Sequence, residues 1–116
     1  MTEPLNRVTH TCDSGIHFLV FPAQITHAEY DDIFSEAYAI LGDLTDIRVV
    51  LDLSYMGHIN SWFIGIIAEF FTSIEDNGGR MVILANPVLD DIFNFVGFKD
   101  FVEVVLERNA AIKFVL

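Results

Sequence analysis

The sequence predicts a single α/β domain over residues 1–116. Its order is β-β-α-β-α-β-α-β-α, with a mixed, mostly parallel sheet and an antiparallel first strand. Three observations predict this. Short, almost wholly apolar runs (Ile16–Phe21, Ile47–Leu53, Arg80–Ala85) alternate with stretches of helical periodicity. Such runs belong to strands buried on both faces, as in parallel sheets covered by helices. Turn and cap residues punctuate the chain between them. The 116 residues suffice for one core-bearing domain.

The elements follow in order. Residues 7–13 alternate weakly and suit an edge strand. Asp13-Ser14-Gly15 signals a turn, and Ile16–Phe21 can pair back as a hairpin before Pro22 stops it. Thr26, with Glu29 three residues on, forms a capping box for the first helix. Tyr30, Ile33, Phe34, Ala37, Ile40 and Leu41 mark its inner face, and Gly42 its end. Ile47–Leu53 is a buried strand with Asp52 as its polar member. A helix opening at Ser61 runs to Asn77-Gly78-Gly79, and Arg80–Ala85 is the next strand. Pro87 suits the first turn of a helix through Val96, stopped by Gly97. Phe101–Val105 reads as the last strand and Glu107–Val115 as a closing helix.

Composition narrows the function. Six basic against seventeen acidic residues give a net charge of −11. That balance argues against nucleic acid and anionic membrane surfaces, and favours a basic or mixed-charge protein partner. An apolar fraction of 53%, including eleven Phe, leaves apolar surface available to a partner and keeps a homodimer open. Cys12 is the sole cysteine, so no internal disulfide can form, which fits the cytoplasm. The first ten residues lack an apolar signal core, and no apolar run approaches the roughly 18 residues of a membrane span.

Enzyme motifs are missing: no G-x-G-x-x-G, no phosphate-binding G-x-x-x-x-G-K, no G-x-S-x-G. The four histidines (His10, His17, His27, His58) show no metal-ligand spacing, so neither metal nor cofactor is expected. Asp90 and Asp91 could form an acid/base pair but suit a helix N-terminus better. Asp52, His58 and Ser61 could be imagined as a triad, with no visible oxyanion donor.

The turn Tyr55–Ser61 is different. It leaves the carboxyl end of a sheet strand, where open α/β folds place their sites. Asn60 is a good N-cap, which puts Ser61 in the first turn. On a helical wheel of about 100° per residue, Phe63, Ile67, Phe70 and Ile74 form the core stripe. Ser61, Gly65, Glu69, Thr72 and Asp76 lie opposite, and Trp62 falls among them. A tryptophan there needs a covering loop or a partner. From the residues alone, Ser61 is either part of a plain helix cap or a place for phosphate.

The stretch VVLDLSYMGHINSWFIGIIAEF resembles the signature of STAS domains, the family of bacterial anti-sigma-factor antagonists. Their pattern is an apolar strand ending Asp-Leu, a turn, then Ile-Asp-Ser-Ser-Gly-Leu-Gly opening a helix. Asp52-Leu53, Ile59, Ser61 and Gly65 match it. Gly78-Gly79-Arg80-Met81-Val82-Ile83-Leu84 resembles the family's strand entry, and residues 92–98 (IFNFVGF) its Leu-x-x-x-Gly-Leu segment. The departures are Asn60 for aspartate, Trp62-Phe63 for Ser-Gly, and Ala23-Gln24-Ile25-Thr26 for Gly-Glu-Leu-Asp.

The resemblance implies a non-catalytic regulatory domain working by partner switching. Ser61 would be phosphorylated by a serine kinase/anti-sigma factor and reset by a phosphatase. Thr26, His58, Asn60, Ser61, Trp62 and Gly65 would form the partner surface. The alternative is a constitutive STAS adaptor that is never phosphorylated, in a stressosome-like assembly or as the cytoplasmic subunit of a lipid transporter.

Overall fold

The computed structural model describes residues 7–116. Five strands form one sheet in the order β1-β2-β3-β4-β5: β1 Thr9–Asp13, β2 Ile16–Val20, β3 Arg48–Asp52, β4 Arg80–Leu84 and β5 Val104–Val105. β1 pairs antiparallel with β2, and every other pairing is parallel, as the sequence predicts. The hairpin turn needs two left-handed residues, supplied by Ser14 (φ 55°) and Gly15 (φ 80°). The edge register follows from it, with Cys12 opposite His17 and His10 opposite Leu19.

The helices are α1 Tyr30–Leu41, α2 Ser61–Asp76, α3 Pro87–Phe95 and α4 Arg108–Val115. Strand alternation divides the core. Leu19, Val49, Leu51, Met81 and Ile83 point to one face, where they meet Phe34, Phe63, Phe70 and Phe93 from α1, α2 and α3. Ile16, Phe18, Val50, Val82 and Leu84 point to the other, packed against Ala111 and Val115 of α4. Repeated right-handed crossovers in one direction place α1–α3 on the same face. The core stripe read for α2 is correct: Phe63, Ile67, Phe70 and Ile74 are all fully buried. Burying each of those side chains contributes about 1.5–3 kcal/mol before the entropy of ordering is counted.

Three boundaries differ from the sequence reading. Thr26 caps a 3-10 turn, His27–Glu29, which continues into α1. The strand expected at Phe101–Val105 shrinks to Val104–Val105. Its first residues are taken by a 3-10 turn at Phe98–Asp100, where the Phe98 carbonyl accepts from the Phe101 and Val102 amides. Glu107 is the N-cap of α4 rather than its first residue. At Gly79, a Cβ would lie 2.5 Å from the Ile47 carbonyl oxygen and 2.9 Å from Ile74 Cγ2, so the α2–β4 junction requires glycine there. No helix among the described residues is long and apolar enough to cross a membrane.

Candidate functional site

The site grows from the carboxyl end of β3. Asp52 ends that strand, and its carboxylate accepts from the Ser54 amide (2.9 Å) and hydroxyl (2.6 Å), which turns the chain out of the sheet. Asn86 then pins the loop. Its amide donates to the carbonyls of Ser54 (2.9 Å) and Met56 (2.7 Å), while its Oδ1 accepts from the Leu89 amide at the start of α3. One side chain thus caps α3 and fixes the β3–α2 loop. Met56 and Ile59 anchor the same loop in the core, leaving Gly57 and His58 exposed between them and Tyr55 exposed just before.

Asn60 caps α2, with Oδ1 accepting from the Phe63 amide at 2.9 Å. That bond commits Oδ1 as the acceptor, so Nδ2 is the donor facing His27 Nε2 at 2.8 Å. In that contact Asn60 donates and His27 Nε2 accepts, an assignment that follows from the Asn60 cap. His27 in turn meets Trp62 edge-on, ring centroids 6.0 Å apart, and Tyr30 meets Trp62 the same way at 5.4 Å. Trp62 is therefore braced on one side and 51% exposed on the other. The covering loop that the wheel called for covers only half of it.

Ser61 is exposed in the first turn of α2, which holds no acidic side chain. The unpaired amides and partial positive charge of that helix end favour an anion beside it. Gly65, one turn on, is exposed with open space where a Cβ would project, so packing gives no reason for a helix-weakening glycine there. Thr26 reaches the site indirectly. Its amide (2.8 Å) and hydroxyl (3.0 Å) donate to Glu29, whose carboxylate also meets Arg7, and this fixes the turn that carries His27. These contacts, Thr26 first, hold the Glu29 carboxyl below its ordinary value. Thr26, His27, Tyr30, Tyr55 and His58 share a cleft of about 430 Å³ beside the helix end.

The structure thus brings Asn60, Ser61, Trp62 and Thr26 together through His27, with His58 across the cleft. His27, Tyr30 and Asn86 escape a sequence reading. Asn86 carries a signal, an asparagine before Pro87 at a helix start, whereas His27 and Tyr30 carry none until the fold places them. The imagined triad does not assemble: Asp52 is engaged by Ser54, and His58 has no hydrogen bond to Asp52 or Ser61. Asp90 is paired with Lys99 at 2.8 Å rather than poised with Asp91. Among the described residues, no three His, Cys, Asp or Glu side chains converge as metal ligands, and no buried side-chain polar atom lacks a partner.

The mixed five-stranded sheet, the strand-end loop and the helix opened by Ser61 define the class of α/β domain. The STAS domain family model matches residues 7–111, and the chain belongs to that family. Solved structures share the fold. An anti-sigma factor antagonist structure from Thermotoga maritima matches with a TM-score of 0.81 at 15% identity, covering 93% of each chain. An anti-sigma-factor antagonist (STAS) domain protein from Planctomyces limnophilus gives 0.78 at 16%, covering 94% of this chain and 98% of that one. An anti-sigma factor antagonist from Mycobacterium paratuberculosis gives 0.75 at 15%, covering 98% of each. No functionally curated protein matches the sequence.

Proposed function

We propose that this chain is a non-catalytic switch that binds a serine kinase/anti-sigma factor through the amino-terminal end of α2, and that phosphate on Ser61 releases the partner. The observation that carries this reading is the pairing of exposed Ser61 with half-exposed Trp62 at a rigid helix end. A phosphate there adds about −1.5 to −2 charges and three acceptor oxygens. The helix end tolerates that charge within the domain. An apolar interface centred on Trp62 does not, because burying an unpaired ion costs several kcal/mol. One modification therefore leaves the fold intact and abolishes binding, and a phosphatase resets it.

A second reading is a constitutive adaptor. It is favoured by Asn60, whose amide is hydrogen-bonded to His27 where the family pattern has an acid. Titrating the chain against its cognate kinase separates the two. Under the switch reading, Ser61→Asp weakens binding at least about tenfold with unchanged thermal stability, and Ser61→Ala binds normally. Equal affinity of all three proteins contradicts it.

A further inference from the structure

The β1–β2 hairpin brings together two histidines that lie seven positions apart in the chain. His10 and His17 sit diagonally across the ladder on one face of the sheet, with His10 Nε2 3.0 Å from His17 Nδ1. Their rings are nearly parallel, 12° between planes and 5.3 Å between centroids. β1 is an edge strand exposed along its length, which leaves His10 open to solvent, and His17 on β2 is half-buried beside it.

Two imidazole nitrogens on one metal ion, with bonds of about 2.0–2.1 Å and a separation of 3.0 Å, subtend roughly 91–97° at the metal. That is near the right angle of square-planar or octahedral coordination. A tetrahedral ion needs the nitrogens about 3.3–3.4 Å apart. Each imidazole keeps its proton on the outward nitrogen, which leaves the two facing nitrogens as the ligands. Cys12 stands opposite His17 in register, but it does not complete a three-ligand group.

We propose that His10 and His17 form a bidentate site for a divalent transition-metal ion, taking Ni²⁺ or Cu²⁺ in preference to Zn²⁺, with water in the remaining positions. Imidazole suits these ions, and the general affinity order places Cu²⁺ above Zn²⁺, so the preference for Ni²⁺ rests on the bite angle. Bound metal would staple the edge hairpin from outside, at a place remote in sequence from the Ser61 helix.

The test uses the untagged full chain titrated calorimetrically with Ni²⁺, which avoids oxidising Cys12. One equivalent binds, and thermal stability rises with Ni²⁺ concentration. His10→Ala and His17→Ala each weaken binding at least about tenfold, a loss of about 1.4 kcal/mol, whereas Cys12→Ser and His58→Ala leave it unchanged. In a second measurement, diamagnetic Zn²⁺ binds more weakly and shifts the imidazole resonances of His10 and His17 in the NMR spectrum of the wild-type protein. Absence of binding, Ni²⁺ affinity indifferent to both histidines, or loss of binding in Cys12→Ser would each overturn the proposal.

Discussion

Replacing Asn60 with alanine deletes two hydrogen bonds at the helix end, Oδ1 to the Phe63 amide and Nδ2 to His27. Loss of an N-cap asparagine costs about 1 kcal/mol. An exposed side-chain hydrogen bond contributes about 0.5 kcal/mol, the low end for such bonds. The sum is about 1.5 kcal/mol, which lowers Tm by roughly 6 °C for a domain of this length. His27→Ala removes the same second bond, together with its edge-on contact to Trp62 and its tilted contact to Tyr30. A double-mutant cycle therefore isolates the Asn60–His27 bond, with an expected coupling of about 0.5 kcal/mol. Urea denaturation of wild type, both single variants and the double variant reads it directly. A coupling indistinguishable from zero would refute the Asn60–His27 hydrogen bond. An Asn60→Ala cost well below 0.5 kcal/mol would refute the cap itself.

Other outcomes follow from the same geometry. Asn86→Ala strips the cap of α3 and both loop anchors, so it destabilises by about 2–3 kcal/mol in chemical denaturation, and amides of residues 54–58 exchange faster. Gly65→Ala stabilises the fold by up to about 1 kcal/mol, since helix propensity improves and nothing occupies the space; under the proposed function it also weakens partner binding. Gly79→Ala is destabilising by at least about 2 kcal/mol because backbone atoms of Ile47 and Ile74 close on the new Cβ. Glu29 titrates below its ordinary value of 4.5, chiefly through the Thr26 amide. Its contribution is therefore present above that pH and lost as pH falls through the folded-state value. Thermal melts of wild type and Glu29→Gln should accordingly differ at neutral pH and converge in acid.

Much of this fold is legible in the sequence because its signals are local. Continuous apolar runs announce β3 and β4, and Asn60 announces the start of α2. The failure at residues 101–103 is also local in cause: Phe101 and Val102 look like strand residues, but the Phe98 carbonyl captures their amides in a 3-10 turn. The site is half legible. Ser61, Asn60 and the outward face of Trp62 follow from helical periodicity. The rings that brace Trp62 come from the turn at His27 and the start of α1 at Tyr30, far upstream, and are placed by tertiary packing. The His10–His17 pair is invisible for the same reason, since spacing within one element cannot reveal a contact made across a hairpin.

The proposed switch stands on phosphate carried by Ser61 at a protein-binding surface. Intact mass of the chain purified from its own cells tests it most directly, with fragmentation to place the modification. A species about 80 Da heavier is expected, assigned to Ser61, erased by phosphatase and absent in Ser61→Ala. A single unmodified mass, under conditions in which the partner complex both forms and dissociates, would contradict it and leave the constitutive adaptor.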